Sequence, residues 1–382
     1  MSILAWIAGI FAAAGIIQQS VGTWLIERFC ALPVASPPLA LPPVSILKPL
    51  CGTEPLTELA LESFFLIEYP VYQLIFGVQT ETDPVVAVVE RLRARYPARD
   101  VTLIVDPALH GTNRKISNLI NMMVAVRHDV LVMSDADIHV PPYFLHRVVA
   151  ALAAPGVGLV TTLYTGLPGT PHLATRMGAN QINYNFLPGA LLARRLGRQD
   201  CLGVTMAMTA KVLADIGGLQ AVANNLADDQ VLGRLVVARG YRLTLAQVIP
   251  ATTVPEKDFA ALFRHELRWA RTIRALVPLP YAASALQMSI FWAVMAALVS
   301  GGAWLAWMLF VITLLARYAA ARRLDKALKL AKSGDAWLFL VRDLWSALIF
   351  VASYCGDTVD WRGQIIRADS GELPALTEQK HV

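Results

Sequence analysis

VLVMSDADIHV, residues 130–140, is the stretch on which the reading of this chain turns. Four apolar residues, Val130 to Met133, run into Ser134-Asp135-Ala136-Asp137. That is the pattern of a buried parallel strand whose C-terminal end opens into a cleft. Ligands of open α/β sheets bind at such ends. Asp135 and Asp137 are one residue apart, so in extended chain both point the same way. Two hard oxygen ligands on one side suit Mg²⁺ or Mn²⁺ holding a diphosphate. An isolated Asp-x-Asp is also met as a pair of solvated loop aspartates, so the rest of the chain has to decide.

The chain has 382 residues, enough for one large or two ordinary domains, and 56% of them are hydrophobic. A mean hydropathy of +0.51 is too apolar for a purely soluble enzyme, and membrane segments are expected. A net charge of +5 carried by dispersed basic residues argues against a nucleic-acid binder. It suits anionic headgroups or a nucleotide diphosphate. The cysteines Cys30, Cys51, Cys201 and Cys355 lie far apart, with no CxxC or Cys/His cluster. A structural zinc site or disulfide framework is not expected, and reduced thiols fit a cytosol-facing domain.

Along the chain, residues 1–28 read as an uncleaved membrane anchor. The uncharged apolar run Ile3–Ile17 continues through Gln18-Gln19-Ser20 into Val21–Ile26, long enough for a bilayer core of roughly 30 Å, and no basic n-region marks a signal peptide. A proline-rich linker, residues 29–43, marks a boundary. From Val44 to residue 280 short apolar runs alternate with helix-like stretches: 44–47, 57–67, 73–78, 84–96, 101–105, 116–126, 130–133, 142–153 and 158–164. That rhythm predicts βα units in a doubly wound parallel sheet. Within Asn180 to Arg198, apolar residues stand beside Arg194, Arg195 and Arg198. The segment reads either as an interfacial helix with arginines toward phosphates or as an ordinary surface helix. Residues 281–355 form a C-terminal membrane region. Tyr281–Ser300 and Ala303–Tyr318 make a hairpin about Gly301-Gly302, and Ala336–Tyr354 is a further span. Arg342 and Asp343 interrupt that last span and should pair or face a neighbour. The basic connector with Arg317, Arg322, Arg323, Lys326, Lys329 and Lys332 places its side in the cytoplasm. The 44–280 block is then cytoplasmic, and the N-terminus and the 356–382 tail lie on the other side.

A second acid pair stands in Leu226-Ala227-Asp228-Asp229-Gln230, ahead of a helical run. Adjacent acids at a helix start are often only caps. Farther on, Arg264-His265-Glu266-Leu267-Arg268-Trp269 sets two guanidiniums and an indole on one helix. It is no zinc-protease signature, because Trp269 stands where the second His belongs. Taken in order, VSILKPLCG (44–52), GVQTETDP (77–84), NRKISNLINM (113–122), SDADI (134–138), LADDQ (226–230), HELRWARTIR (265–274) and GDTVDWRG (356–363) resemble membrane glycosyltransferases of the inverting GT-A type. The resemblance is narrower to the ceramide glucosyltransferase family, and within it to the bacterial hopanoid-biosynthesis branch.

The resemblance implies a GT-A domain of α/β class between an N-terminal transmembrane helix and a C-terminal helix cluster. It implies that Asp83, or Glu81 beside it, lies in the nucleotide pocket with Asp228, and that Asp135 and Asp137 approach the metal and diphosphate. Asp229 is implied as general base. His265, Arg268 and Trp269 are implied at the diphosphate and acceptor end, with His265 standing where the family commonly has Gln or Arg in its QxxRW or RxxRW motif. Inversion at a sugar C1 needs one base for the attacking hydroxyl and positive charge for the leaving UDP. Asp229 suits the first. Mg²⁺ or Mn²⁺ near Asp135 and Asp137, with Lys115 and Arg268, suits the second.

The expected partners are a UDP-sugar and a membrane lipid, with N-acetylglucosamine and bacteriohopanetetrol the first choice and glucose and ceramide the second. The expected location is a bacterial inner membrane with the catalytic domain in the cytoplasm. A processive polysaccharide synthase would need a larger helix bundle. A catalytically silent membrane binding protein would not need both acid pairs.

Overall fold

The computed structural model describes residues 2–33, 40–330, 336–361 and 364–367. Residues 34–39 of the proline-rich linker, Lys332 of the basic connector, and residues 362–363 and 368–382 of the tail lie outside the described residues. The elements in chain order are α1 (Ile3–Ala31), β1 (Val44–Pro49), α2 (Thr57–Phe65), β2 (Tyr72–Val78), α3 (Pro84–Arg95), β3 (Val101–Val105), α4 (Arg114–Met122), β4 (Val130–Ser134), β5 (Ile138–His139), α5 (Phe144–Leu152), β6 (Val157–Thr161) and β7 (Thr165–Pro168). They continue with α6 (Leu173–Gln181), α7 (Leu187–Arg195), β8 (Thr205–Thr209), α8 (Ala210–Asp215), α9 (Asp228–Ala238), β9 (Arg242–Leu245), β10 (Ala251–Val254) and α10 (Phe259–Leu276). The last are α11 (Pro278–Ala283), α12 (Ser289–Val299), α13 (Trp304–Leu328), α14 (Ala336–Tyr354), β11 (Thr358–Trp361) and β12 (Gln364–Arg367).

The chain forms two compact units, and their borders depart from the linear boundaries expected above. The sheet unit takes the described residues of 33–169 and 199–255, while 170–198 and the described residues between Glu256 and Arg367 group with the apolar helices of the helical unit.

In the sheet unit, β1, β2 and β4 are apolar along almost their whole length because helices cover both faces. The main sheet runs β3-β2-β1-β4-β8-β6-β9, and a small sheet runs β5-β10-β7. The expected parallel sheet is in fact mixed, since β8 pairs antiparallel with both β4 and β6. The reason is topological. The long excursion between β6 and β8 returns the chain at the sheet edge it left, so β8 must run back between its neighbours. One face is filled by Leu131, Met133 and Met206 from the strands and by Leu119, Leu213, Val231, Leu232 and Leu235 from α4, α8 and α9. Burying these residues anchors α9, whose first turn carries Asp228 and Asp229.

In the helical unit, α1, α13 and α14 are long and apolar enough to cross a membrane. The expected span Tyr281–Ser300 is broken instead: α11 and the turn after it meet α12 at 66°. The break is stabilised electrostatically. Asp343 accepts from the backbone N–H of Ile290 at 2.9 Å, on the first turn of α12, and from Arg317 at 3.1 Å. Arg342 makes a two-pronged pair with Glu266 at 2.7 Å on each arm, and Trp345 Nε1 donates to the same carboxylate at 3.0 Å. Both charges that interrupt α14 are therefore paired, as their cost in an apolar setting requires. The segment 180–198 forms the end of α6, a π-helical turn (Ile182–Phe186) and α7. It lies against α1, where Gln19 donates to Tyr184 O at 2.8 Å. A Cβ on Gly22 would come within 2.8 Å of Pro188, so the close approach of α7 requires glycine there.

Candidate active site

The strand β4 ends at Ser134, and the chain turns at residues 136–137 before β5. Asp135 and Asp137 are thus not carried by one extended strand, and the expected strand-alternation geometry gives way to a turn. Asp137 is drawn into the small sheet: Thr252 Oγ1 donates to its carboxylate, and its carbonyl accepts from Thr253 N at 3.0 Å. The carboxylate of Asp135 meets Lys115 Nζ at 2.6 Å.

Lys115 sits in the first turn of α4, which Asn113 caps by accepting from Ile116 N at 3.1 Å. Its ammonium also lies 3.8 Å from Asp228 Oδ2, while Asn113 Nδ2 donates to Asp228 Oδ1 at 3.3 Å. The acid pair at the start of α9 and the Asp-x-Asp after β4 therefore converge on one lysine. Neither aspartate is the cap of α9, a place held by Ala227. Asp229 Oδ1 accepts from Gln230 N at 2.8 Å, and Gln230 is itself tied to Cys201 O at 2.6 Å. A Cβ on Gly203 would stand 3.0 Å from Asp229 Oδ2, so a bare backbone leaves room for that oxygen.

Beneath this cluster lies Lys48, fully buried on β1. Its ammonium donates to the Asp135 carbonyl at 2.6 Å and sits 3.6 Å from the centre of the Phe64 ring.

The charges do not balance locally, and the titration of the groups reflects it. Burial, then the charge of Asp228, pushes Asp229 up to about 7. Burial and the charge of Asp135 also raise Asp137 and Asp228, with Lys115 opposing the rise at Asp228. Burial lowers Lys48 to about 7 against the pull of Asp137 and Asp135. At Lys115 burial is outweighed by Asp135 and Asp228, which hold its pKa above the usual lysine value. The buried Asp228 Oδ2 has no hydrogen-bond partner among the described residues. Such a pattern of raised carboxylates is found where a cation or a proton is handled. No three His, Cys, Asp or Glu side chains gather as a metal-ligand set among the described residues. One or two carboxylates with phosphate oxygens and water nonetheless suffice for Mg²⁺ or Mn²⁺, so the hard oxygen donors of Asp135 and Asp137 fit such an ion.

Asp83 caps α3 by accepting from Val85 N at 2.9 Å and also takes the Gly52 N–H, while Glu81 is exposed in the preceding loop. His265, Arg268 and Trp269 belong to α10 in the helical unit. There the His265 imidazole Nδ1 pairs with Glu256, and its ring meets Trp269 edge-on at 4.6 Å. Burial of Glu256 is outweighed by His265 and by the charge of Arg268, which keep its carboxyl below the usual range.

Sequence reading missed Lys48, Asn113, Thr252, Gln230 and Glu256. Lys48 left a signal, a lone cation in the apolar strand VSILKP, and Asn113 left one as an N-cap ahead of a helix. Gln230 adjoins Asp229 in sequence, whereas Thr252 reaches Asp137 only through tertiary packing; Glu256 meets His265 within the helical unit.

The mixed central sheet with its covering helices is a GT-A-like α/β fold. The fold is similar to that of the solved mannosyltransferase PcManGT from Pyrobaculum calidifontis in complex with GDP-Man and Mn²⁺, with a TM-score of 0.51 and 21% identity over 92% of this chain and 99% of that one. The model of Glycosyl transferase family 21 matches residues 7–373, and the chain belongs to that family. Ceramide glucosyltransferase 3 of Caenorhabditis elegans is 25% identical over 246 residues, covering 63% of this chain and 52% of the relative. A ceramide glucosyltransferase of Komagataella phaffii is 31% identical over 132 residues, 34% of this chain and 26% of the relative. The chain thus spans about half the length of the first of these curated relatives.

Proposed function

We propose that this protein is a membrane-bound inverting glycosyltransferase that moves a hexose from a UDP-sugar to a hydroxyl of a membrane lipid. The observation that carries the reading is the convergence of Asp135, Asp228 and Asp229 about Lys115. In this mechanism Asp229 takes the proton of the attacking hydroxyl, and a carboxylate poised at about 7 is matched to that task near neutral pH. Lys115 orients Asp135 and Asp228 and would set positive charge against the negative charge that develops on the leaving diphosphate. Lys48 holds the backbone of Asp135 from below. Asp135 and Asp137 would hold Mg²⁺ or Mn²⁺, which supplies Lewis-acid neutralisation of the diphosphate when bound. Glu81, Asp83 and Asp228 are assigned to the nucleotide-sugar pocket, and His265, Arg268 and Trp269 to the diphosphate and acceptor end. Alanine at each of these tests the assignment by donor affinity and turnover.

A lipid acceptor cannot leave the bilayer at low cost, since each exposed CH₂ costs about 0.8 kcal/mol. An enzyme of this kind must work at the membrane surface, and the long apolar helices support that setting. We place the sheet unit in the cytoplasm of a bacterial cell, on the side of the basic connector. The first reading, N-acetylglucosamine to bacteriohopanetetrol, rests on the resemblance to the bacterial hopanoid-biosynthesis branch. The relatives named ceramide glucosyltransferase support the second reading, glucose to ceramide. The experiment is intact-lipid mass spectrometry of the purified protein with UDP-N-acetylglucosamine or UDP-glucose, each against bacteriohopanetetrol and ceramide. A mass increase of one hexosamine or hexose identifies the pair. No transfer, and no hydrolysis of either donor, removes the enzymatic reading.

A further inference from the structure

α14 is long and apolar enough to cross a membrane, and the helices around it fix its level. α1 supplies the scale. Ser2 Oγ at its start donates to Val299 O at 3.4 Å, and a Cβ on Gly15 would lie 2.8 Å from Ser289 Cβ and 2.2 Å from Leu286 O. α12 therefore runs from the level of Gly15 out to that of Ser2. α13 returns beside α1 until Arg323 pairs with Glu27 at 2.9 Å. A polar band crosses these helices where the uncharged run of α1 gives way to Gln18-Gln19-Ser20. In it Gln19 donates to Tyr184 O at 2.8 Å, and Arg317 of α13 donates to Asn185 Oδ1 at 2.6 Å and to Asp343 of α14 at 3.1 Å.

A crossing helix would leave this band and end near Ser2 and Val299. α14 ends elsewhere. Tyr281 of α11 stacks on Phe350 at 5.2 Å and donates to Ser353 Oγ at 2.8 Å, and α11 leads into the Gly15 end of α12. α10 runs beside α14 over the same length. Glu266 holds Arg342, Ala270 packs in one cluster with Ile349, and Arg274 lies 5.1 Å from the Tyr354 ring centre and donates to Gly356 O at 2.7 Å. Two helices side by side share one depth. At about 100° per residue, Arg264, Arg268 and Arg271 fall on the side of α10 away from Glu266, and Arg264 is exposed. Hydrocarbon is no place for that row of guanidiniums, so α10 marks the water side. Away from α10, α14 exposes Trp337, Leu344, Leu348 and Val351 in one stripe along its length.

We propose that α14 lies in the plane of the membrane surface, its apolar stripe set into the acyl layer of one leaflet and α10 stacked on its water side. The chain then makes no further crossing after α13, and the hairpin of β11 and β12 stays on the side where α13 ends. The occupant of the stripe is a lipid leaflet rather than a protein, because α14 is fastened to α12 and α13 through Asp343 at the level where the apolar length of α1 ends. The placement does not depend on the sugar-transfer reading, and it sets α10, with Arg268 and Trp269, at headgroup level.

The test reads depth and side on the full chain in phosphatidylcholine vesicles. For depth, spin labels are placed one at a time at Trp337→Cys, Leu344→Cys and Val351→Cys in a chain carrying C30S/C51S/C201A/C355S, and power saturation with oxygen and a nickel chelate ranks them. The labels should differ in depth by less than about 8 Å, whereas a crossing helix would set positions 337 and 351 apart by roughly 15–20 Å. For side, a membrane-impermeant maleimide is applied to sealed vesicles of each orientation. The native Cys355, kept alone by C30S/C51S/C201A, and an Ala375→Cys reporter in the tail should label from the side that labels Cys51 and from the side opposite Ser2→Cys. The side test leaves α14 untouched, so it stands even where a label in that helix disturbs folding. A depth difference above that limit, or a tail labelled together with Ser2→Cys, overturns the proposal.

Discussion

Two regions of the molecule bury acids beside cations, and they do so in opposite ways. Two buried carboxylates of the helical unit have their match: Arg342 grips Glu266 with both arms, and Asp343 is shared between Arg317 and a helix N-terminus. In the sheet unit Lys48 and Lys115 face Asp135, Asp137, Asp228 and Asp229, and Asp228 keeps an oxygen without a hydrogen bond. The contrast separates structure from chemistry. A balanced pair holds helices together, while burial and a surplus of negative charge raise carboxylate pKa values, which suits the cation and proton handling proposed for the sheet unit.

The largest effect that would break this contrast is chelation. EDTA should abolish sugar transfer and added Mg²⁺ or Mn²⁺ restore it, while leaving the melting temperature of the helical unit unmoved; indifference of transfer to EDTA would remove the metal from the mechanism. Next, Asp229→Asn should lower kcat by at least ~100-fold with UDP-sugar affinity retained, measured by titration calorimetry beside a turnover assay. Near-normal turnover would take Asp229 out of the chemistry.

On the balanced side, Arg342→Ala should destabilise the fold by about 3–5 kcal/mol, because it strands a buried Glu266. The double variant R342L/E266L should regain most of the loss, and thermal unfolding in detergent compares the two. A single variant as stable as wild type would mean that the pair holds nothing.

The smallest effect is in pH. Asp229 must be ionised to act, so kcat/KM should fall as pH drops below about 7. In Asp228→Asn the neighbouring charge is gone and that limb should move to lower pH; a limb that stays put would assign it to another group. The stability linkage has the matching sign. Between the ordinary 3.8 and about 7 the folded chain keeps a proton on Asp229 that the unfolded chain has released, so this group's contribution weakens as pH rises through that window.

Much of this was legible along the chain. The apolar run into Ser134 announced a central strand, the stretches from Pro84 and from Ile116 announced helices, and the run from Ile3 announced a membrane helix, because period and length are local properties. The antiparallel β8 was hidden, since strand direction depends on where a long connection brings the chain back. The break before α12 was hidden for a similar reason. The uncharged and largely apolar stretch from Tyr281 to Ser300 gives no notice that Asp343, far along the chain, will hold the first turn of a helix starting at Ser289.

By itself the amino-acid sequence determined the alternation of strands and helices, the apolar helices, and which acids were candidates for chemistry. Only the tertiary structure decided that Asp135 and Asp228 share Lys115, that Lys48 lies buried beneath them, and that Asp137 turns toward Thr252. The physical reason is range. Hydrophobic period and capping act over a few residues, whereas the charge felt by a carboxylate is summed over whatever the fold brings within a few ångströms of it.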